Sequence, residues 1–182
     1  DPDASELYPA WSPSGRSLVY VGHSTTGDNL YFIEDIAEAS PPRQLTTWQH
    51  MQTRPRFSPD GTQLAFYSNH EDSERFDLWT MSIEGSPTKL AEDVVMNDRG
   101  PVWLPDSGGV LFVADEDERF DPLYQVDLNG QRSRIPTGTV GNGDFDLTVL
   151  GDGNAYLALS AQGTEGGDRR DFKQIYVIPL AP

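Results

Sequence analysis

The sequence predicts an all-β fold, a β-propeller with four blades of four-stranded antiparallel sheet in this chain. Three observations predict it. A motif returns every 46 residues, short apolar runs rich in Val, Ile, Tyr, Phe and Trp follow each copy, and Gly and Pro punctuate the spaces between runs.

The motif reads Pro9-Ala10-Trp11-Ser12-Pro13-Ser14-Gly15 in its first copy. It returns as Pro55-Arg56-Phe57-Ser58-Pro59-Asp60-Gly61, and again as Pro101-Val102-Trp103-Leu104-Pro105-Asp106-Ser107. A worn fourth copy reads Leu147-Thr148-Val149-Leu150-Gly151-Asp152-Gly153. Trp11, Phe57, Trp103 and Val149 each stand 46 residues from the next. Pro presets φ for a turn, Asp bonds its own backbone, and Gly accepts positive φ. The motif therefore joins the innermost strand of a blade to its second strand. The aromatic residue before it is expected to wedge between neighbouring blades.

Each copy continues alike. The second strand is expected at Leu18–Val21, Leu64–Tyr67, Val110–Val113 and Tyr156–Leu159. These runs are apolar on both faces, as sheets covered on both sides require. The third strand is expected at Leu30–Ile33, Leu78–Met81, Leu123–Val126 and Ile175–Ile178. A short fourth segment follows in three copies, at Arg43–Thr46, Thr88–Ala91 and Ser133–Pro136. The blades are thus expected at 7–47, 53–92, 99–137 and 144–182 of one propeller domain. No stretch has useful helical periodicity.

Composition excludes several functions. Asp and Glu number 29 against 13 Lys and Arg, a net charge of −16. Nucleic-acid binding needs a basic footprint, so it is not expected. Only Lys89 and Lys173 are lysines, and an acidic, lysine-poor surface fits salt adaptation. No apolar run is long enough for membrane insertion. Without Cys there is no disulfide, and a structural zinc site is not expected.

The search for catalytic chemistry yields nothing. No Gly-x-Ser-x-Gly elbow occurs. His23 and His70 read as surface residues near strand ends, with no second His at ligand spacing. The acidic loops His70–Asp77 and Asp115–Asp121 share Arg-Phe-Asp, with the Phe expected to anchor the loop and the Arg and Asp to pair locally. They read as solvated turns, with Ca²⁺ binding as the alternative. No catalytic residue, metal ligand or cofactor is assigned. The candidate binding surface is the mouth of the channel, where loops between successive blades gather. Those loops carry Trp48, His50, Arg54, Asp98, Arg99, Asp144 and Asp146. Trp and Arg on such a surface suit protein recognition.

The repeat Pro-x-Trp/Phe-Ser-Pro-Asp-Gly, with an apolar strand, Leu/Ile-Tyr/Trp and a Leu-Thr-like segment after it, resembles that of TolB-type propellers. The same repeat occurs in the propellers of prolyl-oligopeptidase-like and tricorn-like peptidases. The resemblance runs from Tyr8 to Leu180. It implies a non-catalytic interaction or scaffold propeller with a protein partner, placed in the periplasm or elsewhere outside the cytoplasm. The alternative it implies is the gating propeller of a larger hydrolase. Propellers of this family usually have six or seven blades, so four imply part of a propeller, or half of a ring closed as a homodimer.

Overall fold

The computed structural model describes residues 5–25, 27–116, 122–140, 143–163 and 174–180. They form seventeen strands, and no helix occurs among them. The first blade comprises β1 (Glu6–Trp11), β2 (Leu18–Ser24), β3 (Gly27–Ile33) and β4 (Arg43–Gln44), each antiparallel to the next. The second comprises β5 (His50–Phe57), β6 (Gln63–Ser68), β7 (Asp77–Ser82) and β8 (Thr88–Ala91) in the same order. A two-residue parallel pairing of β3 with β5 stitches these blades together.

In the third blade the innermost strand is in two pieces, β9 (Val94–Val95) and β10 (Val102–Trp103), both paired with β11 (Gly109–Ala114). Next come β12 (Leu123–Asp127) and β13 (Arg132–Arg134). The fourth blade is split likewise. Here β14 (Thr139–Val140) and β15 (Phe145–Val149) both pair with β16 (Ala155–Gly163), and β17 (Gln174–Leu180) lies on its other edge. The expected four strand positions are present in the first three blades. Among the described residues the fourth blade has three.

Three apolar clusters form the joints between blades. Along β6, Leu64 and Phe66 pack towards the first blade, while Ala65 and Tyr67 pack towards the third. Along β11, Val110 and Phe112 face the second blade, and Leu111 and Val113 face the fourth. Every one of these side chains is essentially inaccessible. The two-sided burial read from the sequence is therefore the burial of a middle strand between two neighbours.

The aromatic wedge holds for two copies. Phe57 packs in the joint between the first and second blades. Trp103 packs between the second and third, and its indole N–H donates to the Arg56 carbonyl at 3.1 Å. Both point to the preceding blade. Trp11, the equivalent residue of the first blade, is 56% exposed against 7% for Trp103. Val149, the fourth equivalent, is too short for the role and remains 45% exposed.

The four turns after these residues share one conformation. Gly15, Gly61 and Gly153 have φ of 71°, 75° and 86°, and Ser107 takes 62° where the others have Gly. The Ser107 hydroxyl accepts the backbone N–H of Asp60 at 3.0 Å, tying the third turn to the second. That hydrogen bond offsets the left-handed strain of a non-glycine residue. The Asp60 carboxyl is held below its usual range, chiefly by the Ser58 hydroxyl and then by the Thr62 backbone N–H.

Trp103→Ala should lower stability by about 3–5 kcal/mol in urea titration, because it empties a buried joint and orphans a carbonyl. Trp11→Ala, at the same repeat position, should cost under about 1 kcal/mol. Equal losses would contradict the wedge assignment.

Candidate binding surface on the propeller axis

The innermost strands change course at one repeat position. Pairing of β1 with β2 slips between Leu7 and Ala10, and pairing of β5 with β6 slips between Thr53 and Arg56. Tyr8 and Arg54 lie inside these bulges with φ of 51° each. Gly100, 46 residues after Arg54, has φ of 99°. Asp146 is the fourth equivalent and sits in regular pairing with Ala158. Bulges re-aim side chains, and positive φ at a non-glycine residue persists only where the surroundings enforce it.

Here the bulges bring side chains of successive blades together. The Arg54 guanidinium lies 5.2 Å from the Tyr8 ring centroid. Its Nε donates to the Asp98 carbonyl at 3.0 Å, and it pairs with the Asp98 carboxylate at 3.4 Å. Gly100 passes so close that a Cβ there would stand 2.8 Å from the Arg54 carbonyl oxygen. One step along, Arg56 Nε donates to the Arg99 carbonyl at 2.7 Å, and Arg99 pairs with Asp146 at 2.7 Å. Asp144 Oδ1 accepts the Asp98 backbone N–H at 3.0 Å. The buried side chain of Asn97 donates to the Phe145 carbonyl at 2.8 Å, and its backbone N–H donates to the Tyr67 hydroxyl at 3.3 Å. Three blades thus meet at Asn97. Burial pushes the Tyr67 phenol up, well beyond its usual range.

Five of the seven residues expected at the channel mouth therefore fall into two sets of contacts, Arg54–Asp98–Asp144 and Arg99–Asp146. The other two lie apart. Trp48 is half-buried, packed on the core and stacked on His70 at 3.8 Å, with Trp79 edge-on at 4.8 Å. His50 heads β5 in an exposed position with φ of 66°. Tyr8 and Arg56 belong to the surface too, and the reading of loops passed over them because both lie within strands. Counting 46 residues back from Arg54 and from Val102 finds the pair of positions Tyr8 and Arg56.

Two expectations are corrected. His70 is half-buried rather than free at the surface, stacked with Trp48 and Trp79. Arg75 does not pair with the neighbouring Asp77; it reaches Asp93 at 2.9 Å, while Asp77 accepts the Asp93 backbone N–H and faces Lys89. Phe76 packs on the core, as an anchor should. The matching Arg119, Phe120 and Asp121 lie outside the described residues. Lys89 also pairs with Glu71 at 2.6 Å and Glu92 at 2.9 Å. Burial opposes its charge, but these carboxylates outweigh burial and hold the ammonium above its usual range. His23 pairs with Asp28 at 2.5 Å. Among the described residues, no group of three or more His, Asp or Glu side chains is arranged to hold a metal ion.

Known proteins bear on this geometry. The family model of the TolB beta propeller domain matches residues 3–166. An uncharacterised protein of Agrobacterium fabrum is 25% identical over 130 residues, covering 71% of this chain and 43% of that protein. The uncharacterised peptidase YuxL of Bacillus subtilis is 30% identical over 112 residues, covering 57% of this chain and 16% of that protein. The chain thus spans less than half the length of either relative. The crystal structure of TolB from Acinetobacter baumannii superposes with a TM-score of 0.69 at 17% identity, over 96% of this chain and 43% of that one.

Two outcomes follow from this geometry. Gly100→Ala should destabilise the chain by about 1–3 kcal/mol in chemical denaturation, since a Cβ meets the Arg54 carbonyl in a backbone region unsuited to Ala. A stability equal to the parent's would show that the close approach is not required. The second outcome concerns pH. Burial, opposed by Glu71 and Asp77, leaves the His70 imidazole below its ordinary value. The unfolded chain then binds the proton first as pH falls through about 6.5, so stability rises with pH across that window and is lost on acidification. Urea midpoints between about pH 5 and 7 should therefore slope upward, and His70→Gln should flatten the slope.

Proposed function

The chain belongs to the TolB β-propeller domain family, and from that premise we propose that it is a non-catalytic interaction propeller that binds a protein partner at its axis. One observation carries this reading. The inner strands and the loops that precede them bring Tyr8, Arg54, Asp98, Arg99, Asp144 and Asp146 into a polar surface with aromatic and guanidinium groups, the chemistry of protein recognition. The setting that goes with this reading is the periplasm or another extracytoplasmic space. A partner held by the wild-type chain should be released by Asp98→Ala combined with Asp144→Ala. It should be retained by Arg43→Ala, far out on β4. Retention by the axial variant would refute the assignment.

A second reading has its own support, the 30% identity to a peptidase over 112 residues. In it the chain is the substrate-gating propeller of a larger hydrolase, and catalysis belongs to another domain. An α/β-hydrolase segment encoded in the same reading frame would decide for it.

The two ends of the blade array carry a further part of the proposal. Trp11 on the first blade, and Ile175 (72% exposed) and Val177 (64% exposed) on the fourth, are exposed apolar groups. A homodimer would cover them. Light scattering coupled to size exclusion should then give about twice the 20.2 kDa of the chain. A mass near that of one chain would exclude the homodimer.

A further inference from the structure

The axial contacts include one between a cation and a sulfur. Arg54 directs each of its three nitrogens at a separate acceptor. Nε donates to the Asp98 carbonyl at 3.0 Å, and Nη2 reaches the Asp98 carboxylate at 3.4 Å. Nη1 donates to Met96 Sδ at 3.4 Å. A thioether is a weak acceptor, so this contact is the poorest of the three. Met96 stands directly after β9 and directly before Asn97, where three blades meet.

The chain has no Cys and three methionines, so its sulfur chemistry rests on Met51, Met81 and Met96. Their settings differ. Met81 is sealed in the joint between the first and second blades at 3% exposure. Met51 is 40% exposed. Met96 is half-buried, with its side chain packed on the joint between the second and third blades and its sulfur against the Arg54 guanidinium. A half-buried sulfur is open to a small oxidant such as a hydroperoxide.

Oxidation changes what that sulfur offers. A sulfur lone pair attacks one oxygen of the hydroperoxide. An S–O bond forms as the O–O bond breaks, and the departing oxygen takes up a proton and leaves as water or an alcohol. Sulfur gives up two electrons and the hydroperoxide gains them. The thioether becomes a sulfoxide, which is polar and a strong acceptor. Against an apolar joint an unpaired sulfoxide oxygen would be costly. Here a guanidinium N–H already points at the sulfur, and a charged donor makes the stronger kind of hydrogen bond. The competing acceptor is the Asp98 carboxylate, which is exposed and paired at a long 3.4 Å, a contact worth little in water.

We propose that Met96 is a reversible oxidation site on the axis of this propeller, where Arg54 takes the sulfoxide oxygen as an acceptor and lets go of the Asp98 carboxylate. Its operation does not depend on what the axial surface binds.

Hydrogen peroxide treatment of the full chain, followed by peptide mapping, tests access to the sulfur. Met96 should gain oxygen about tenfold faster than Met81. Nitrogen-15 NMR of the arginine Nε–H groups tests the response, in Met51→Leu so that Met96 is the reactive sulfur. The Arg54 signal should shift as Met96 is oxidised, return after treatment with methionine sulfoxide reductases, and stay in place when Met51→Leu/Met96→Leu meets the oxidant. Met96→Gln, whose amide oxygen imitates the sulfoxide, should shift the Arg54 signal in the same direction without oxidant. Urea midpoints of oxidised and reduced Met51→Leu should differ little, whereas oxidation should clearly lower the midpoint of Met51→Leu/Arg54→Leu. Met96 reacting no faster than Met81, an Arg54 signal unmoved once Met96 is oxidised, or a loss of stability as large with Arg54 as without it would overturn the proposal.

Discussion

Everything else in this structure depends on burying both faces of a middle strand. A four-stranded sheet of two- to nine-residue strands cannot cover its own side chains. At β6 and β11 alternate residues enter different joints, so each strand is held by two neighbours at once. Transfer of such side chains from water supplies roughly 1.5–3 kcal/mol each. That gain exists only when a blade has a neighbour on each side. On the first and fourth blades Trp11, Ile175 and Val177 remain exposed. Stability here is a property of joints, not of blades.

The joints in turn fix the axis. Trp103 reaches back into the second blade and bonds the carbonyl of Arg56, a residue whose side chain lines two cavities on the axis. The same wedge that seals the joint therefore positions a guanidinium on the axis. Asn97 does the equivalent one level up, binding the Phe145 carbonyl and the Tyr67 hydroxyl. Packing and the axial surface share residues, with Tyr8, Arg54, Arg56 and Asp146 on strands and Asp98, Arg99 and Asp144 in the loops between blades. Placement on strands lowers the ordering cost of binding.

Most of the fold was legible in the sequence because one period governs it. The 46-residue spacing located the turns, the second and third strands and the wedge residues. What it hid were departures from the average blade. The split of the inner strand into β9 and β10 has no signal in composition, since Val94–Val95 and Val102–Trp103 are too short to register as runs. The bulges at Tyr8 and Arg54 are equally silent, because neither residue type announces positive φ. Only Gly100 hinted at it, and only in register with the other two. At the surface, loop reasoning gathered Arg54, Asp98, Arg99, Asp144 and Asp146. It also drew in Trp48, whose packing on His70 and Trp79 arises from contacts between distant segments. It passed over Arg56 and Tyr8 because strands, not loops, carry them.

The electrostatics of the axis follow from the same geometry. A chain of net charge −16 repels itself, and that repulsion is least costly where carboxylates spread over an outer surface in water. On the axis, side chains from four blades converge, and a purely acidic lining would concentrate the cost. The inner strands and loops instead interleave opposite charges: Arg54 with Asp98, and Arg99 with Asp146. These pairs are exposed on at least one side, so each adds little to stability alone. Their effect is on potential. They neutralise Asp98 and Asp146, while Asp144 accepts the Asp98 backbone N–H and Arg56 donates to the Arg99 carbonyl. The field on the axis is set by the nearest few groups, since the distant surface charge is screened beyond about 10 Å.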